Sequence, residues 1–104
     1  MKIFIMTDLE GATGVAGTWS DFNPGAGEHE SAKRFLTGDV NAAIDGAIES
    51  GAKDIVVLDG HGAAFSIILE DLDPRAELIK GRRILELEGL DGSFDLMFAI
   101  GAHS

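Results

Sequence analysis

Ile55-Val56-Val57-Leu58-Asp59 is the stretch on which the fold turns: four consecutive aliphatic residues closed by an acid. A run without polar alternation fits a strand covered on both faces, as in a parallel sheet. Upstream, Lys2-Ile3-Phe4-Ile5-Met6-Thr7 has the same form and also ends at an acid, Asp8. Between the two the period changes. From about Glu28, the residues Ala32, Phe35, Leu36, Val40, Ala43, Ile44, Ala47 and Ile48 recur at three- and four-residue spacing. That pattern predicts an apolar stripe along about 20 residues, or roughly 30 Å, of helix. Gly51 supplies its C-terminal cap. Strand, helix and strand in this order make a βαβ unit with its two strands parallel.

Working outward, Gly11 to Gly27 holds five glycines and Pro24. It is too long and too interrupted for a regular element, and such loops are more often functional than ordinary. Trp19 and Phe22 inside it are expected to anchor it to the core. Beyond Asp59, a short amphipathic stretch from Phe65 to Leu72 stops at Asp73-Pro74. Ala76 to Ile79 reads as a third strand, Ile84, Leu85, Leu87 and Leu90 as a weaker apolar segment, and Leu96 to Ile100 as a fourth buried strand. The expected fold is α/β, a mainly parallel sheet of about four strands flanked by helices. Residues 1–104 form one domain. The chain stops four residues past a buried-strand pattern, before the helix that would cover that strand. The expectation is therefore the N-terminal part of a longer protein.

Composition narrows the partners. Eight Lys and Arg against 18 Asp and Glu give a net charge of −10, which disfavours nucleic acid and anionic membrane surfaces alike. With 45% hydrophobic residues and a mean hydropathy of +0.15, disorder is excluded. Cysteine is absent, and thiolate chemistry with it. Met1 to Met6 is too short for the apolar core of a signal peptide, and no stretch reaches a membrane span. A cytoplasmic location is the expectation.

In an open parallel sheet, ligands bind beyond the carboxyl ends of the strands. Asp8 and Glu10 follow the first strand, Asp59 and His61 the second, and His103 the fourth. Parallel pairing brings these ends to one edge, so residues far apart in sequence converge there. Imidazoles mixed with carboxylates suit Zn²⁺, Fe²⁺, Mn²⁺ or Co²⁺ better than Mg²⁺ or Ca²⁺. Taken singly, each residue has an ordinary role: a strand-end aspartate binds a loop amide or caps a helix, and a histidine is solvated. His29, at the helix start and away from the strand ends, is assigned that ordinary role. His61 and His103 follow buried strands and have small neighbours, Gly60 and Gly62, Ala102 and Ser104, that leave room for a ligand.

A phosphate-loop reading of Gly11 to Gly17 is weak, because the spacing fits no nucleotide motif and no lysine is near. Asp8-Leu9-Glu10-Gly11-Ala12-Thr13 does resemble the D-x-D-G-T motif of haloacid-dehalogenase-type phosphatases. There Asp8 would be the nucleophile of a Mg²⁺-dependent reaction, but Glu10 and the additional Ala12 depart from the pattern, and His61 and His103 are left unused. A third reading is a non-catalytic metal-binding or assembly remnant.

A fuller likeness covers almost the whole chain. Asp8-Leu9-Glu10-Gly11-Ala12-Thr13-Gly14 resembles the D-x-E-G-x-x-G opening of the DppA-type zinc-dependent D-aminopeptidases. Asp59-Gly60-His61 resembles their D-x-H segment, and Gly101-Ala102-His103-Ser104 their G-x-H-[SA] segment. Asp73 to Gly81 and Glu88 to Asp91 are similar to family sequence as well. The resemblance implies a metallo-aminopeptidase that removes N-terminal D-amino acids from short peptides in a homo-oligomeric assembly. It implies two Zn²⁺ ions in the full family site: Asp8 bridging both, Glu10 and His61 completing one, His103 binding the other. Asp59 is expected to orient His61, on chemical grounds rather than family ones. Family members continue further and supply another Glu ligand and a catalytic His. Neither falls within 1–104, so no catalytic residue is expected here, the His lying downstream of Ser104, and one or two ions are expected in this chain.

Overall fold

The computed structural model describes residues 1–9, 27–60, 66–79 and 92–101. Four strands and one α-helix run through them in chain order: β1 (Lys2–Thr7), α1 (Gly27–Glu49), β2 (Asp54–Asp59), β3 (Glu77–Ile79) and β4 (Leu96–Ile100). All pairings are parallel, and the order across the sheet is β3-β2-β1-β4. The α/β class read from the apolar runs is therefore the observed one. No helix among the described residues is long and apolar enough to cross a membrane.

Register fixes the working edge. Thr7 pairs with Asp59 on one side and with Ile100 on the other. Three strands therefore end level, and Asp8, Gly60 and Gly101 are the first residues beyond them. The chain passes from β1 to β2 to β3 in one direction, then returns to place β4 on the far side of β1. That reversal puts a topological switch point between β1 and β4, where open α/β sheets form their ligand crevice.

Helix α1 covers one face. Its Ala32, Leu36, Val40, Ile44 and Ala47 are buried against Ile3 and Ile5 of β1 and Ile55 and Val57 of β2, with Phe98 and Ile100 of β4 packed beside them. At 100° per residue the buried stripe centres near Val40 and Ala47. Phe35 falls well outside it and is 47% exposed, contrary to its expected place in the apolar face. Thr37 falls inside and is buried instead. Its hydroxyl donates to the Lys33 carbonyl at 2.8 Å and accepts the Ile68 amide at 3.0 Å, which removes the cost of burying it. One turn on, Asn41 donates to the Asp71 carbonyl at 2.8 Å and accepts the Asp73 amide at 2.7 Å. These two side chains moor residues 68–73 to the helix. The described part of the expected amphipathic stretch there is a single 3-10 turn, Leu69–Asp71.

The helix ends as its glycine predicts. Gly51 has φ +101°, its amide reaches the Ile48 carbonyl at 3.0 Å, and the Ala52 amide reaches the Ala47 carbonyl at 3.0 Å. This is a Schellman closure, with Ala52 buried beneath it.

Strand β4 departs from its reading. Its composition matches β1, yet among the described residues it lies at the edge of the sheet, and Leu96 and Met97 are 48% and 44% exposed. An apolar run marks a strand, whereas burial depends on what stacks over it. The expected apolar segment at 84–90 and the loop carrying Trp19 and Phe22 lie outside the described residues.

Candidate metal centre

Asp8 leaves the end of β1, which lies between β2 and β4. It is partly buried, its amide donates to the Ile100 carbonyl at 2.9 Å, and its Oδ1 accepts the Leu9 amide at 2.8 Å. Leu9 is fully buried and anchors the chain on its far side. The carboxylate thus stands on a stem fixed to β4 behind it and to the core in front.

Asp59 ends β2 and is fully buried. Its Oδ2 accepts two backbone amides, Ser66 at 2.5 Å and Ile67 at 2.7 Å. Because Ser66 and Ile67 are themselves buried, the carboxylate ties the far end of the following segment back to the strand end. This is the loop-amide role open to a strand-end aspartate. Glu10, His61 and His103 lie outside the described residues, as do the side chain of His29 and the residues Gly62, Ala102 and Ser104. Among the described residues no group of three or more His, Asp and Glu could hold a metal ion, and Asp8 is the one described member of the expected zinc set.

Two further residues shape this edge. The Gly60 amide donates to the Thr7 carbonyl at 3.1 Å, and a Cβ on Gly60 would stand 2.7 Å from that same oxygen. Gly101 has φ +74°, and a Cβ there would meet the Asp8 carbonyl oxygen at 2.0 Å, the Asp8 carbonyl carbon at 3.0 Å and Leu36 Cδ1 at 3.2 Å. The missing side chain of Gly60 was expected to leave room for a ligand. The space is taken by main chain. Sequence reasoning placed Gly101 in a motif without giving it a task, and its signal was only its position directly after a strand run.

A parallel α/β sheet whose central strand delivers an acid to the switch point defines a protein of the open, ligand-binding α/β class. Sequence comparison is more specific. The chain belongs to peptidase family M55, D-aminopeptidase, whose family model matches residues 1–104. The D-aminopeptidase of Bacillus subtilis (strain 168) is 31% identical over 107 residues, covering 100% of this chain and 38% of the relative. A solved structure, described as the Zn-dependent D-aminopeptidase DppA from Bacillus subtilis, a self-compartmentalizing protease, superimposes with a TM-score of 0.93 at 29% identity. That match covers 100% of this chain and 38% of the solved one. The chain thus spans well under half the length of these relatives. Neither the phosphatase nor the remnant reading gains support from them.

Proposed function

We propose that residues 1–104 form a single α/β metal-binding unit that contributes the N-terminal part of a zinc-dependent aminopeptidase site. The observation that carries this reading is the M55 match over the whole chain, which includes every residue of the expected zinc set that falls within 1–104. The geometry at Asp8 supports it. Gly60 and Gly101, which stand one and two residues before His61 and His103 in the sequence, flank the Asp8 stem. Two carboxylates and two imidazoles form a donor set suited to zinc.

In this reading Asp8, Glu10, His61 and His103 would hold the zinc, Asp8 shared between two ions, Glu10 and His61 serving one and His103 the other. Zinc supplies Lewis acidity toward the scissile carbonyl and the attacking water. The protein residues hold the site in register: Asp8 through its bonds to Ile100 and Leu9, and Asp59 by tying the Ser66 and Ile67 amides to the end of β2. A further Glu ligand and a catalytic His are assigned downstream of Ser104, a reading supported by the 38% coverage of the relatives. The substrate is a short peptide with an N-terminal D-residue. The assembly is a homo-oligomer, as the self-compartmentalizing relative suggests, in the cytoplasm.

Elemental analysis of protein purified without added metal, paired with hydrolysis of D- and L-aminoacyl p-nitroanilides, tests the proposal. Zinc should copurify, and any hydrolysis should favour the D-substrate and stop on chelation. The 104-residue chain alone should hold zinc and show little or no turnover. Absence of transition metal together with Mg²⁺-dependent cleavage of a phosphomonoester would overturn it.

A further inference from the structure

Most glycines of a fold accept a methyl group at modest cost; Gly38, Gly46 and Gly92 here have nothing within 4 Å of where a Cβ would stand, and at Gly51, equally open, only the φ of +101° resists a side chain. Gly60 and Gly101 are different, and they share a location. One is the first residue past β2 and the other the first past β4. Both bring their α-carbons against the main chain at the C-terminal end of β1: Gly60 against the Thr7 carbonyl and Gly101 against the Asp8 carbonyl. The obstructing atoms are backbone, so no rotamer change can relieve the contact. A 2.0 Å approach to Asp8 and a 2.7 Å approach to Thr7 require the strand ends to separate before any side chain fits.

We propose that Gly60 and Gly101 are positioning residues that set the spacing between the Asp8 carboxylate and the chains leaving β2 and β4, and so the span across which a metal ion is held. The inference rests on the zinc reading above and deepens it by giving the two spacings separate tasks. Gly101 sets the gap between the Asp8 main chain and the chain leaving β4, and Gly60 the gap between Thr7 and the chain leaving β2. The φ of +74° at Gly101 is a second, separable requirement. Asparagine tolerates that conformation but carries a Cβ, so it meets the backbone demand and fails the spacing demand.

The test is zinc binding by the 104-residue chain, read as zinc per chain after dialysis and as affinity in competition with a chromogenic chelator, alongside circular dichroism and Tm. Gly101→Ala and Gly101→Asn should both stay folded in the cold and either lose one zinc equivalent or bind zinc at least about tenfold more weakly, as expected when groups orienting a ligand shift. Gly60→Ala should weaken binding in the same direction. Gly51→Asn, a positive-φ position with open space around it, should change Tm alone and leave zinc affinity at the wild-type value. For a marginally folded variant, the zinc-induced rise in Tm reports the same affinity.

Wild-type affinity in a folded Gly101→Ala protein overturns the inference while leaving the zinc reading intact. Rescue of zinc binding by Gly101→Asn but not Gly101→Ala overturns it too, since backbone conformation would then be the whole requirement. If neither Gly101→Ala nor Gly60→Ala folds under any condition, the two glycines serve the fold alone and the inference falls. If the wild-type chain takes up no zinc, the functional reading and the inference fail together.

Discussion

The two edges of the sheet are held by different means. At the N-terminal edge main-chain bonds from the Asp95 amide to the Lys2 carbonyl at 2.8 Å and from the Lys53 amide to the Met1 carbonyl at 3.0 Å are supplemented by exposed side chains. The Lys2 amide donates to Asp95 Oδ2 at 2.8 Å, Lys2 Nζ donates to Ser93 Oγ at 2.8 Å, and the same ammonium lies 4.4 Å from the centroid of Phe94. Phe94 in turn meets Phe4 edge-on at 5.2 Å. Long side chains in water adjust, so this clasp tolerates small changes of geometry. At the C-terminal edge main chain packs on main chain at Gly60 and Gly101, and a fully buried carboxylate takes two amides. Nothing there adjusts cheaply. The comparison teaches where accuracy is concentrated: at the edge that carries Asp8.

That contrast can be broken by substitution. The largest effect is expected from Asp59→Ala, which leaves the buried Ser66 and Ile67 amides without their acceptor. Two such losses should cost about 3 kcal/mol in urea unfolding, and a cost below about 1 kcal/mol would show the C-terminal edge to be as forgiving as the other. Asp95→Ala removes one exposed carboxylate contact from the N-terminal clasp. It should cost no more than about 1 kcal/mol by the same measurement.

The smallest effect depends on pH and concerns the turn that leads into β3. Arg75 donates through its side chain and its backbone amide to Asp73, at 2.6 to 3.2 Å, and also reaches Asp45. The Arg75 side-chain bonds, then its amide, hold the Asp73 carboxyl at about 2, against an ordinary value of 3.8. A carboxyl depressed on folding contributes stability that is fully present above its unfolded value and lost as the pH falls through its folded one. Asp73→Asn should therefore lower Tm slightly at pH 6, with the two curves converging as the pH falls from about 4 through about 2 and meeting near pH 1. A gap in Tm that persists at pH 1 would assign the effect of the substitution to packing rather than to charge.

The strands were legible because parallel strands buried on both faces need no polar alternation, and Lys2–Thr7 coincides with its reading. Helix α1 was legible by its period, yet Phe35 was misplaced because a stripe has two margins and only the sheet decides which is covered. Thr37 took the other margin because Ile68 offered a donor. The exposure of β4 could not be read from Leu96 to Ile100, since nothing in a strand states its rank in the sheet. Of the site, Asp8 and Asp59 were legible as acids that close apolar runs. Asp59 was expected to orient His61, which lies outside the described residues; its described bonds to amides seven and eight residues on are a loop closure that no local pattern encodes. Gly60 read as open space because glycine in a sequence marks a missing side chain, not the atom that occupies its place.

The central position of β1 also has a meaning in time. It is synthesised before both of its partners, Asp54–Asp59 and Leu96–Ile100. At translation rates of about 5–20 residues per second, roughly 5–20 s separate the appearance of β1 from that of β4. Through that interval the strand bearing Asp8 lacks one neighbour, and its pairings with β2 and β4 both close long stretches of chain, the slow kind of contact. The acid at the end of β1 is made well before the strand that completes its surroundings.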